Sequence, residues 1–139
     1  MVYALREIWR VLTPGGSLID LRPLAGNSLL EVVTAEGVLQ AGRINDTLDI
    51  PDDRAANEAL AGVVGAGWFA REREENFNYA VYCDTPDEVR TYLETKRCSL
   101  YLSGAVLDRA RQLLTGSGEG AKMRVRFKMV IGRYEKIGR

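Results

Sequence analysis

The sequence contains no histidine. That removes Ser-His-Asp triads, Cys-His pairs, His-ligated zinc and the usual proton shuttle at neutral pH. Cysteine is nearly absent too: Cys83 and Cys98 are the only two, and neither belongs to a CxxC pair, so a zinc site built from them alone is excluded. Two isolated cysteines are expected to be reduced and buried rather than joined. No metal site is expected. There is no excess of either charge, since 19 Lys and Arg balance 19 Asp and Glu. This argues against a generally basic nucleic-acid binder and against an acidic tail. Long apolar runs are missing as well. The longest, Leu60 to Ala70, falls short of the roughly 18 residues that suggest a membrane span. The first residues, Met1 to Glu7, carry no apolar core of a signal peptide. A soluble cytoplasmic protein is the expectation.

What is present suits one globular α/β domain over residues 1–139: 46% hydrophobic and 27% charged residues. Leu5, Ile8, Trp9 and Leu12 recur at helical spacing. Thr13-Pro14-Gly15-Gly16 stops that helix, and Ser17 to Leu21 reads as a short strand ended by Arg22-Pro23. Leu29–Val33 and Val38–Ile44 are strand-like, with Thr34 to Gly37 as a hairpin turn. Asp52 or Asp53 is expected to cap a helix with Ala56, Leu60, Val63 and Val64 inward, ending in Gly65-Ala66-Gly67. Trp68 to Asp84 is a long strand with Phe77, Tyr79, Val81 and Cys83 as its apolar set. Thr85-Pro86-Asp87-Glu88 is a capping-box helix start, with Val89, Tyr92 and Leu93 inward. Ser103 caps a further helix with Val106, Leu107, Ala110, Leu113 and Leu114 inward. In the last strand Met123, Val125, Phe127, Met129 and Ile131 alternate with a largely basic row.

Four constellations invite a functional reading. The row Lys122, Arg124, Arg126 and Lys128 resembles a phosphate stripe, but it lacks interleaved aromatics. It is expected to be a solvated face neutralised by Glu72 and Glu74. The glycines from Gly62 to Gly67 lie after a helix and before a strand. A dinucleotide loop needs the reverse order, so they read as helix termination. Asp20 and Glu31, or Asp52 and Asp53, are carboxylates with no spacing that converges them. Asp20 stands in the carboxyl half of a short strand, where α/β proteins often place ligands.

The run Ala4-Leu5-Arg6-Glu7-Ile8-Trp9-Arg10-Val11-Leu12-Thr13-Pro14-Gly15-Gly16-Ser17-Leu18 resembles a segment of class I S-adenosylmethionine-dependent methyltransferases. In that family an ALxEIxRVLxPGGxL stretch forms the helix before the fifth strand, the turn, and that strand. The later elements follow the family's order, closing with an antiparallel pair whose last strand inserts between the fifth and sixth. The resemblance implies a truncated Rossmann-like half: a small mixed, mostly antiparallel sheet with packed helices. The family's glycine-rich loop and acidic strand end, which hold the methyl donor, have no counterpart among these residues. Neither catalytic nor cofactor-binding residues carry over, and the isolated chain is expected to bind no cofactor. The loop after the fifth strand lies on the substrate side in such enzymes, which singles out Arg22 and Asn27. A fifth strand without its fourth neighbour leaves an open edge. The expectation is therefore a homodimer, a complementing N-terminal methyltransferase half, or a hairpin Leu29–Ile44 rearranged over that edge. The competing reading is a non-catalytic homodimeric interaction module. Nucleic-acid and membrane partners are not expected.

Overall fold

A computed structural model describes residues 2–96 and 99–138. The architecture is mixed α/β, with a mostly antiparallel open sheet and, among the described residues, four α-helices. None of these helices is long and apolar enough to cross a membrane. The described residues group into two compact units: 2–24, 50–77 and 129–138 form one, and 25–49, 78–96 and 99–128 the other.

The first unit starts with helix α1 (Val2–Val11) and strand β1 (Ser17–Pro23). The turn between them requires both of its glycines. Gly15 has φ +76°, a left-handed conformation. A Cβ on Gly16 would lie 2.8 Å from the Thr13 carbonyl oxygen. Helix α2 (Ile50–Gly65) follows, then the first part of strand β4 (Phe69–Cys83) and the last part of strand β5 (Lys122–Lys136). β1 pairs antiparallel with β5, from Ser17 opposite Glu135 to Pro23 opposite Met129. β4 also pairs with β5. The core joins Leu5, Ala59, Leu60, Val63, Phe69 and Tyr134, with Ile8, Trp9 and Leu18 packed against it.

α2 ends as the glycines suggest. The Trp68 amide donates to the Val63 carbonyl, the Gly67 amide to that of Val64, and Gly67 adopts φ +74°. These are the bonds of a Schellman cap. Its start differs from expectation. A 3-10 turn, Thr47–Asp49, leads straight into Ile50, so Asp52 and Asp53 sit in the first turn rather than at the cap.

The second unit holds the hairpin β2 (Leu29–Thr34) and β3 (Gly37–Arg43), helices α3 (Pro86–Lys96) and α4 (Gly104–Gly116), and the remaining parts of β4 and β5. β2 pairs antiparallel with β3 and with Lys122–Arg126 of β5. The hairpin therefore takes β5 as its neighbour rather than β1, and the expected rearrangement over the β1 edge does not occur. α4 packs on β2 and β3. It comes so near that a Cβ on Gly42 would lie 2.7 Å from Val106 Cγ2. Leu30, Val32, Val89, Leu107, Met123 and Phe127 are buried.

Ser103 caps α4, its hydroxyl accepting from the Val106 amide. Thr85 caps α3 by accepting from the Glu88 amide at 3.2 Å. The Glu88 carboxylate reaches back to the Asp84 amide, one residue before the position a capping box specifies.

Both long strands depart from their expected patterns. On β4, Phe77 and Tyr79 are exposed and only Cys83 of the expected apolar set is buried. Tyr79 instead stacks on Phe127, ring centroids 6.4 Å apart. On β5, the odd positions Met123, Val125 and Phe127 are buried in the second unit, but the even positions Val130, Gly132, Tyr134 and Lys136 are buried in the first. Ile131, expected inside, is exposed. Tyr134 fills the core beneath α1 and α2, which fixes the even side as the covered one there.

Candidate functional site

Arg22 and Asn27 fall in different units. Asn27 is exposed, and its Nδ2 donates locally to the Ala25 carbonyl at 3.1 Å. Arg22 is largely buried on β1 and is the hub of a polar cluster in the first unit. Its Nε donates to Asp20 Oδ2 at 3.0 Å, and its Nη2 donates to Asn57 Oδ1. Asp53 Oδ1 stands 3.6 Å from Nη1, close enough for an ion pair, yet Nη1 is buried without a hydrogen bond. Strand alternation puts Asp20 and Arg22 on one face, and α2 brings Asp53 and Asn57 to them one turn apart.

Asn57 also borders an open cleft of about 580 Å³. Its apolar wall is Leu60, Ala61 and Val64, the same helical stripe continued. Across from it stand Arg71 and Glu74 of β4 and Tyr134 of β5. The Tyr134 hydroxyl donates to Glu74 Oε2 at 3.1 Å, and Arg71 Nη1 lies 3.8 Å from Glu74 Oε1. Burial, then the hydrogen bond and charge of Glu74, push the Tyr134 phenol up to about 12. It remains a neutral donor through the physiological range.

The second unit accounts for the other singled-out residues. Glu31 is 4% exposed and accepts from Arg124 Nε at 2.8 Å and Arg126 Nε at 3.0 Å. Glu31 therefore neutralises the middle of the basic row, where Glu72 and Glu74 had been expected. Lys122 pairs with Asp84 at 2.9 Å. Glu31 spends its carboxylate on structure and is not poised for acid–base work. Buried Asp46 closes the loop before β2, accepting from the Gly26 amide and from the amide and hydroxyl of Ser28. Cys83 is a buried free thiol. Burial first, then the charges of Glu88 and Asp84, raise its pKa and favour the thiol over the thiolate. Cys98 lies outside the described residues. Among the described residues, no three carboxylate or thiol side chains gather as a metal ion requires.

No protein-family model and no curated protein matches this chain. Sequence reasoning reached Asp20 and Arg22, named Glu74 only as a neutraliser of the basic row, and missed Asn57 and Tyr134. The one available signal was the stripe at 57, 61 and 64, three and four residues apart on an exposed face of α2.

Proposed function

We propose that these 139 residues form the acceptor-side half of a class I S-adenosylmethionine-dependent methyltransferase fold, with the methyl donor held by residues outside them. The observation that carries this reading is the place of β5. The last strand pairs antiparallel with β1 and also with β4, giving the order β1–β5–β4. The methyltransferase-like stretch, Ala4 to Leu18, supports it by supplying α1, the Gly15-Gly16 turn and the start of β1. Methyl transfer needs the sulfonium held in line with its acceptor. By itself this half aligns nothing, so the isolated chain transfers no methyl group.

The partner follows from β1. It stands at one end of the strand order, and Ile19 and Leu21 are 54% and 56% exposed beside Arg133 and Ile131. Such an edge, flanked by apolar side chains, takes another strand. A complementing methyltransferase half supplies that strand in the first reading. The exposed apolar row also favours a second reading, a non-catalytic module in which two copies pair.

Calorimetry with S-adenosylmethionine tests the first reading: the chain alone gives no binding heat, and micromolar binding by it refutes the proposal. Sedimentation equilibrium separates the two readings. A stable dimer that Ile19→Lys/Leu21→Lys dissociates supports the module. A monomer that acquires donor binding only with a second polypeptide supports the split enzyme.

A further inference from the structure

We infer that two copies of the chain join β1 to β1 as an antiparallel pair, with the two-fold axis at Leu21 and Asp20 of each copy opposite Arg22 of the other. The inference rests on the second reading above, in which two copies pair, and states how they do so.

The backbone fixes which atoms the edge offers. At the turn into β1 the Gly15 amide donates to the Lys136 carbonyl at 3.3 Å, and the Lys136 amide donates to the Gly16 carbonyl at 2.8 Å. With Gly15 left-handed, these are the bonds of a G1 bulge. Gly16 and Lys136 therefore form a hydrogen-bonded pair, and such pairs recur at every second residue of the register that follows. Leu18, Asp20 and Arg22 turn their amides and carbonyls to β5. Ser17, Ile19 and Leu21 turn theirs to the open edge. So does Pro23, which has a carbonyl to offer but no N–H. Among the described residues no strand stands beside these groups, since β1 ends the strand order.

Three registers keep most of an antiparallel β1 pair together, centred on Ile19, Asp20 or Leu21. The side chains on the Asp20 face decide between them. Centred on Asp20, two carboxylates stand opposite each other and repel. Centred on Ile19, Asp20 faces the second copy's Leu18 and loses water without gaining a partner. Centred on Leu21, Asp20 faces Arg22 and Arg22 faces Asp20. Each copy's own Asp20–Arg22 ion pair, 3.0 Å long, then joins its mate in a ring of alternating charge. In this register the two Leu21 residues exchange two hydrogen bonds, and each Ile19 amide donates to the other copy's Pro23 carbonyl. The rival registers gain one more backbone bond per copy, at exposed Ser17, where water serves nearly as well. On the opposite face Leu21 meets Leu21 and Ile19 meets Pro23, which covers side chains that a single chain leaves more than half exposed.

Cysteine can replace Ile19 or Leu21 without touching the core. Both variants carry Cys98→Ser, which leaves buried Cys83 as the one other thiol. In a hydrogen-bonded antiparallel pair the Cα atoms lie about 5.5 Å apart, within reach of a disulfide. Sedimentation equilibrium is expected to show a dimer, and mild oxidation to link Leu21→Cys into a covalent dimer but not Ile19→Cys. Asp20→Asn should weaken the dimer about fivefold, the loss of two opposite-charge pairs. In either rival register the same substitution tightens it. A dimer in which Ile19→Cys links to itself, Leu21→Cys fails to link, or Asp20→Asn tightens the association overturns this pairing and leaves the dimeric reading standing. A chain that stays monomeric at its highest soluble concentration, or that pairs only with a complementing half, overturns both.

Discussion

In the second unit the buried carboxylate of Glu31 meets two guanidinium groups, whereas in the first the guanidinium of Arg22 has three acceptors around it and still leaves Nη1 without a hydrogen bond. Both clusters tie a strand to its surroundings. The Glu31 cluster is saturated, so nothing a ligand offers improves it. The Arg22 cluster is unsaturated and adjoins an open cleft through Asn57. Its unsatisfied Nη1 is buried, and Arg22 itself does not line the cleft. A closed network is a brace.

Mutations at the two clusters probe this contrast. Glu31→Ala has the largest expected effect. It leaves Arg124 and Arg126 facing each other across an emptied site, at a cost of about 3–5 kcal/mol in a urea titration. Replacing the whole trio, Glu31→Leu with Arg124→Met and Arg126→Leu, is expected to return stability to within about 1 kcal/mol of the parent. If the triple variant stays as unstable as Glu31→Ala, the trio is more than a brace.

Lys136 is the first unit's nearest equivalent to a closed contact. Its buried ammonium donates to the Leu12 carbonyl at 2.7 Å, at the end of α1, and lies 4.4 Å from the Trp9 ring centroid. Lys136→Met should lower stability by about 2 kcal/mol and alter Trp fluorescence. Arg22→Met comes next, at about 1–2 kcal/mol, because Asp20 and Asp53 keep partial access to water when their partner goes. A loss as large as that of Glu31→Ala would erase the distinction between the clusters.

The smallest effect is expected from Tyr134→Phe, about 1 kcal/mol at neutral pH for one hydrogen bond. Its value lies in the pH dependence. Below pH 10 the phenol is neutral in both states. Between 10 and about 12 the unfolded chain loses that proton while the native one keeps it, so Tyr134 draws stability down as pH rises through that window. The variant should show a shallower decline there than the parent. Parallel curves would mean that Tyr134 ionises normally.

The features fixed by residues adjacent in sequence were the most readable. α1, its Pro-Gly-Gly stop and β1 follow from residues adjacent in sequence, as do the caps at Ser103 and Thr85 and the end of α2 at Gly67. The candidate site was only half legible. Arg22 and Asp20 were visible on one strand, but Asn57, Glu74 and Tyr134 are ordinary residues until tertiary packing collects them. Asn27, singled out with Arg22 from the loop that the methyltransferase resemblance places on the substrate side, belongs to the other unit.

Local order was thus written in the sequence by itself: which segments coil, which extend and where each stops, because backbone sterics and capping bonds act within a few residues. Partner choice was not. Arg124 finds Glu31 across 93 positions, and the covered side of β5 changes from odd to even residues according to the elements packed on it. Alternation announces that a strand has two faces. Only the assembled helices and neighbouring strands decide which face is dry, and therefore where a cleft opens.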